Sequence, residues 1–300
     1  MPRLSIIVPY LLDDSELEQT LISILENRGR NLELIIVHDG RYSDPHGLDQ
    51  DEAVLIETKQ GTSLTSQLNL AIASACSPYI QVLSPGVEVN EGWYDEALEI
   101  LEHGPVAAVC QPISCTDSNG ILTGLAAASF PHRRVTGTAS EVGSPLMVGS
   151  VFRKRVLNAV GGWMEQSSRE VAEVEMGLLL SALELEIAIA ENVGIHAASR
   201  VASGHESGYE IGYACGQLAC AYATIENSGV VIDSVARRLG HLASGLMSPK
   251  TVAERLGWVL GLKNRAYVET IQRRLALAQD GISKLPSNKY VFDQTMRRAA

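Results

Sequence analysis

The residues of this 300-residue chain whose types could do chemistry are carboxylates, arginines, histidines and cysteines at particular places. Asp39 follows the apolar run 32–37, and Glu173 and Glu175 stand at the start of a helical stretch. An ionised carboxylate at such positions can accept a ligand's hydrogen bond or take a proton as a general base. The same acids also have plain structural uses. Asp39 could close the strand end in an Asx-type turn, and Glu173 and Glu175 could be first-turn acids favoured by the helix dipole. Arg133, Arg134 and Arg200 fall in loop-like stretches, where a guanidinium could grip a phosphate bidentately or stay solvated. His38 ends an apolar run, and His196 and His205 follow the last expected strand. A lone histidine at a strand end is more often structural than liganding. The five cysteines (Cys76, Cys110, Cys115, Cys215, Cys220) are odd in number, sit among apolar residues and form no Cys-x-x-Cys. Reduced core thiols fit that spacing better than a zinc or redox site.

These side chains need a scaffold, and the first half of the chain alternates strand and helix signals. The runs 4–9 and 32–37 are continuously apolar, as parallel strands buried on both faces are. Between them Leu17, Leu21, Ile24 and Leu25 recur at helical spacing, with Asp14 or Ser15 able to cap the start. Strands are expected at 53–57, 79–83, 106–112 and 186–190, the last as the final one. Helices are expected at 64–75, 93–101, 153–160 and 173–183. The Gly-, Ser-, Thr- and Ala-rich stretch 114–149 reads as loops and short strands. Strand–helix alternation of this kind predicts an α/β fold with a doubly wound, mostly parallel sheet. From about residue 209 helical patterns dominate, over 209–228, 233–246, 249–261 and 264–279. We therefore expect a sheet-bearing domain over 1–205 and a helical C-terminal extension over 206–300.

Bulk properties narrow the function classes. A 46% hydrophobic and 20% charged composition is that of an ordinary globular chain with a substantial core. There is no apolar run of eighteen residues and no basic-then-apolar N-terminal pattern, so the expectation is a cytoplasmic protein. The net charge of −11 is unevenly placed. Residues 249–300 carry ten Lys/Arg against four acids, a balance of +6, which leaves −17 on residues 1–248. An acidic body argues against nucleic acid as a partner. The basic tail could touch an anionic membrane periphery or another protein, or form a dimer interface; the plainer alternative is a solvated helix face packed on the acidic body. A dinucleotide enzyme is disfavoured, because the turn after Val8 is Pro-Tyr-Leu-Leu-Asp-Asp with no glycine-rich phosphate loop.

Four segments carry a family resemblance. The first is Leu4-Ser-Ile-Ile-Val-Pro9, a helix, Leu32-Glu-Leu-Ile-Ile-Val37 and the turn His38-Asp-Gly-Arg-Tyr-Ser-Asp44. The second is Gly61-Thr-Ser-Leu-Thr-Ser-Gln-Leu-Asn69-Leu-Ala-Ile72-Ala-Ser-Ala75, followed by Tyr79-Ile-Gln-Val-Leu83. The third, the most specific, is Phe152-Arg-Lys-Arg-Val-Leu-Asn-Ala-Val-Gly-Gly-Trp-Met-Glu165, and the fourth is Glu173-Val-Glu-Met-Gly-Leu-Leu-Leu180. In this order they resemble a family 2 glycosyltransferase of the GT-A fold. The resemblance implies transfer of a sugar from a nucleotide-sugar donor to a glycan, lipid-linked or small acceptor. It implies a donor site at Pro9, Asp39, Asn69, Ser84 and Gly86, with Asp39 accepting from the nucleotide base and Glu173 as base catalyst.

Departures from the family pattern bear on the chemistry. Where the family carries Asp-x-Asp, the pair that holds a divalent metal against the donor diphosphate, this chain has Leu83-Ser84-Pro85-Gly86-Val87. His38 and Arg41 replace an Asp and a Ser of the first turn, Glu173 replaces an Asp, and Leu179 replaces an Arg. Ser84 and Gly86 cannot supply the carboxylate oxygens a hard cation wants, so no metal ligands are assigned and metal dependence is expected to be weak or absent. The rival expectation is an inactive relative that keeps the fold as a binding or scaffold module.

Overall fold

The structure is a computed structural model that describes residues 2–29, 31–45, 47–48, 52–118, 120–126, 134–135, 142–203, 208–223, 249–262 and 267–285. The chain opens with β1 (Leu4–Pro9), α1 (Asp14–Asn27), β2 (Leu32–His38), β3 (Val54–Glu57), α2 (Leu64–Ser74), β4 (Tyr79–Val82), β5 (Val87–Val89), α3 (Asp95–His103) and β6 (Ala108–Cys110). Five short strands follow, β7 (Ile113–Cys115), β8 (Ile121–Leu122), β9 (Gly124–Ala126), β10 (Arg134–Val135) and β11 (Val142–Ser144). Then come β12 (Val151–Arg153), α4 (Lys154–Ala159), α5 (Arg169–Ala182), β13 (Ile187–Ile189), β14 (Ile195–Ala197) and α6 (Ser199–Ser203). The described part ends with α7 (Tyr209–Tyr222), α8 (Pro249–Gly261) and α9 (Val268–Ser283).

The central sheet has seven strands in the order β13-β6-β12-β4-β1-β2-β3. β1 pairs in parallel with β2 and β4, β2 with β3, and β6 with β13. Only β12 runs against its neighbours β4 and β6. Every residue of β1 is buried, as expected for a strand covered on both faces. The sheet is thus doubly wound and mostly parallel. A four-stranded sheet, β5-β14-β7-β8, and a three-stranded one, β10-β9-β11, lie outside it.

Three expectations need correction. Helix α5 starts at Arg169, a turn before the expected 173, because the Ser168 side chain accepts from the Val171 N–H at 3.4 Å and caps it there. Glu173 therefore lies beyond the first turn. The strand at 187–189 is not the last, since Ile195–Ala197 pairs with both β5 and β7. The strand Val151–Arg153 was not expected, since three residues are too few for periodicity to reveal it; it takes Arg153 from the expected helix at 153–160, which runs as α4 over Lys154–Ala159. The expected helix at 233–246 lies outside the described residues, as does the end of the one at 209–228.

The described C-terminal helices have an unusual seam. On α7, a Cβ at Gly212 or Gly216 would lie 1.8 Å from the Glu254 carbonyl oxygen or 2.2 Å from that of Trp258. On α8, a Cβ at Gly257 or Gly261 would lie 2.0 Å from the Tyr209 oxygen or 2.1 Å from that of Tyr213. Two Gly-x-x-x-Gly faces thus let the helix backbones touch. No helix among the described residues is long and apolar enough to cross a membrane.

Candidate functional site

The carboxyl ends of β1, β2 and β4 lie side by side, the place where open α/β sheets bind ligands. Pro9 is buried at the end of β1, and the Tyr10 N–H just past it donates to the Val37 carbonyl at 2.8 Å. Asp39 follows β2 and is nearly buried, with Arg41 Nε donating to both of its oxygens at 2.9 and 3.0 Å. The Arg41 guanidinium holds the Asp39 carboxyl below its usual range, and Asp39 in turn raises Arg41. Aromatic rings surround the pair. Tyr42 lies 5.5 Å from Tyr10 and 5.8 Å from His38, centroid to centroid. Burial, chiefly, pushes the Tyr42 phenol up to about 12. His38 Nδ1 accepts from the Gly40 N–H at 3.2 Å, so its role here is to shape the turn. This corner offers an acid and flat rings, as a nucleoside base would need, with Arg41 already on the acid.

Next to it, through Leu11, opens a cleft of about 500 Å³ lined by Asp13, Glu16, Ser84, Ser168, Arg169, Glu170 and Arg200 among others. Of the donor-site residues expected from sequence, Ser84 lines this cleft. Gly86 is stitched under it. Its φ is +82°, its N–H donates to the Glu16 carbonyl at 3.0 Å, and a Cβ there would lie 3.2 Å from Val201 and 3.4 Å from the Glu16 carboxyl carbon. The rest of the turn is laced to α1. Thr20 Oγ1 accepts from the Val87 N–H at 3.1 Å, Ser23 Oγ from the Val89 N–H at 3.3 Å, and Asn27 Nδ2 donates to the Val89 carbonyl at 3.1 Å. Hydrogen bonds from α1 thus hold the turn that would otherwise present metal-binding acids. Among the described residues no group of three or more His, Cys, Asp or Glu is placed to hold a metal ion. A hydroxyl and a glycine are not the hard oxygen donors a divalent cation requires, so a metal at this turn does not fit.

Positive charge reaches the cleft from two elements. Arg200, on α6, pairs with Glu16 across the mouth. Arg169, the first residue of α5, donates through Nη1 to the Val201 carbonyl at 2.8 Å and through Nε to Glu173 Oε1 at 2.9 Å. Glu173 is fully buried behind it. Its Oε1 also accepts from the Met147 N–H at 2.9 Å, and its Oε2 has no partner among the described residues. Glu170, three residues earlier, is the α5 carboxylate that lines the cleft. Sequence reasoning missed Arg169, Glu170 and Glu16. The signals were present in Asp13-x-x-Glu16, which reads as the start of a helix, and in Ser168 followed by Arg169-Glu170, a capping residue ahead of a first-turn acid.

Asn69 lies apart from the cleft lining and clamps a turn. Its Nδ2 donates to the Trp163 carbonyl and its Oδ1 accepts from the Trp163 N–H, both at 2.8 Å. Gly161 and Gly162 have φ of +78° and +71°, and a Cβ at Gly162 would lie 2.3 Å from Asn69 Oδ1, which explains the glycine pair. His196 sits on β14 opposite Glu88 with its Nε2 2.8 Å from Asn90, away from the cleft lining. Arg133, His205 and the Arg134 side chain lie outside the described residues.

The sequence profile of Glycosyl transferase family 2 matches residues 5–158, just over half of the chain. No curated protein sequence matches the chain. Among solved structures, the S. aureus TarS fragment 1–349 is similar at 12% identity and a TM-score of 0.56, covering 93% of this chain and 87% of that one. The same fragment in complex with UDP-GlcNAc gives 13% identity and a TM-score of 0.58, over 93% and 88%. At such identity the likeness speaks to the fold, a GT-A-like α/β sheet followed by helices. The matched profile goes further: this chain belongs to glycosyl transferase family 2.

Proposed function

We propose that this chain binds a nucleotide-sugar across the Asp39 corner and the adjoining cleft, and transfers its sugar without a bound divalent cation to a glycan, lipid-linked or small acceptor. The observation that carries this is the approach of Arg200 and Arg169 to the turn that lacks the metal-binding acids. In an attack with inversion, the acceptor oxygen bonds the anomeric carbon as the carbon–oxygen bond to the diphosphate breaks. Arg200 would meet the charge that develops on the leaving oxygens, exchanging Glu16 for phosphate; a guanidinium fork suits that geometry. Asp39 would accept from the base N–H, and Glu173 would take the acceptor's proton through the unpartnered Oε2 once Arg169 moves with the ligand. The similar TarS fragment has a UDP-GlcNAc complex, so uridine nucleotides head the panel of donors to test.

A second reading has its own observation. The complete burial of Glu173, with one oxygen held by Arg169 and the Met147 N–H, favours a relative that binds the donor, or nothing, without catalysis. Calorimetric titration with uridine, guanosine and thymidine diphosphates, with and without manganese, separates the cases. The proposal expects metal-independent binding that Asp39→Ala abolishes, and transfer that Glu173→Gln abolishes. Binding without transfer leaves a donor-binding module. A folded protein that binds no nucleotide defeats the enzyme reading.

A further inference from the structure

One side chain of helix α9 reaches α5, the helix whose first residues line the cleft. Arg274 reaches from α9 to α5, where Nε donates to Glu175 Oε1 at 2.7 Å and Nη2 lies 3.2 Å from Oε2. The same Nη2 donates to the Gly162 carbonyl at 2.6 Å. Glu175 is fully buried, and the Tyr222 hydroxyl of α7 donates to its Oε1 at 3.1 Å. Burial and the Glu175 charge both push the Tyr222 phenol up, so it stays protonated and remains a donor. One guanidinium thus pairs with a buried carboxylate and a glycine carbonyl together. A lysine could not do the same, since its ammonium is a single point charge without a planar fork.

The tie falls on a segment that matters for the cleft. Gly162 precedes Trp163, whose N–H and carbonyl Asn69 grips from α2, so the Gly162–Trp163 peptide is held at its carbonyl by Arg274 and at its N–H by Asn69. The indole itself contributes no such anchor, because Trp163 Nε1 is buried and unpartnered among the described residues. Five residues on, the same segment delivers Ser167, Ser168 and Arg169 to the cleft lining. The sequence pattern is consistent with this arrangement. Leu179, one helical turn past Glu175 on α5, is apolar, and the guanidinium on Glu175 comes from residue 274 on α9.

We infer that Arg274 is a positioning residue: through Glu175 and the Gly162 carbonyl it sets the 161–168 turn, and with it the wall of the cleft, so that the C-terminal helices hold the site in register. The effect on ligand binding rests on the donor-site reading above; the effect on the turn does not. The full chain labelled with 5-fluorotryptophan should give three fluorine resonances, for Trp93, Trp163 and Trp258, with Trp163 assigned from Trp163→Phe. Arg274→Ala, recorded well below its melting temperature, should displace the Trp163 resonance and weaken uridine diphosphate binding about tenfold or more. Arg274→Lys should keep more of the melting temperature than Arg274→Ala yet leave Trp163 displaced. The exposed control Gln272→Ala should match wild type in both readings.

Should Arg274→Ala fail to fold, Glu175→Met with Arg274→Met replaces the buried pair by apolar groups, an exchange proteins often tolerate. It still removes the tie to Gly162, so Trp163 should again shift. An unmoved Trp163 resonance in these variants overturns the inference. So does a shifted resonance with undiminished affinity, in a protein whose wild type binds nucleotide. If wild type binds none, the donor-site reading fails and the Trp163 resonance alone decides whether Arg274 sets the turn.

Discussion

Replacing Gly216 by alanine tests the helix seam directly. The new Cβ would lie 2.2 Å from the Trp258 carbonyl oxygen and 2.9 Å from its carbon. A carbon–oxygen contact settles at about 3.3–3.6 Å, so α8 must retreat by roughly 1 Å. Overpacking of this kind destabilises by about 1–3 kcal/mol. A gap of about 1 Å also forfeits up to half the dispersion of each contact along the seam. Against this, alanine improves on glycine in a helix interior by about 1 kcal/mol. The clash is with backbone, which cannot rotate away, so the net effect should be a loss of about 1–3 kcal/mol. Gly257→Ala, 2.0 Å from the Tyr209 oxygen, should behave alike. Urea unfolding followed by intrinsic fluorescence would report it as a lower midpoint at unchanged slope. The double variant should lose less than the two single losses combined, because one retreat relieves both clashes. A Gly216→Ala protein as stable as wild type, or more stable by the propensity gain, would refute the backbone contact.

The Asp39 carboxyl is depressed by Arg41, so the native state binds its proton less readily than the unfolded chain. The stabilisation is present above the ordinary carboxylate range and is lost as pH falls through the lowered value. A carboxyl-carbon NMR titration of Arg41→Ala should find Asp39 titrating at higher pH than in wild type. Asn69→Leu removes both hydrogen bonds to Trp163 and leaves its peptide groups unpaired, which should cost about 1–3 kcal/mol in denaturant unfolding. Glu16→Gln frees Arg200 at the cleft mouth; Arg200 is largely exposed, so water screens the pair and diphosphate affinity measured by calorimetry should rise by no more than about fivefold. Ser84→Asp with Gly86→Asp should gain no manganese affinity by the same method, because a side chain at 86 meets a φ of +82°, Val201 and Glu16.

Much of the scaffold could be read from residue types. Runs such as Leu4–Pro9 and the row Leu17, Leu21, Ile24 announce themselves because burial on a flat sheet leaves a local periodic trace. The site was less legible, for two reasons. Helix α5 begins where Ser168 caps it, and that one-turn offset decides which acids face the cleft: Glu170 lines it and Glu173 is sealed. Partners distant in sequence decide the rest. Sequence offers Asp39 as a ligand contact or a turn-closing acid, and its pairing with Arg41 leaves no local trace; Asn69 holds a partner 94 positions away, clamping Trp163. The Ser84–Gly86 departure is visible in sequence as a missing acid pair; the contacts from Glu16 and Thr20 that hold the turn instead are not.

The lone reversed strand has a consequence for how the chain is made. β12 separates β4 from β6, and it is translated after both. Until residues 151–153 leave the ribosome, the block β3-β2-β1-β4 ends in an open edge, and β6 has no neighbour on that side. Both edges are buried in the finished sheet, and left open they invite pairing with a second nascent chain. No fragment ending before residue 151 can close the sheet, so the Asp39 corner depends on strands made long after the residues that line it.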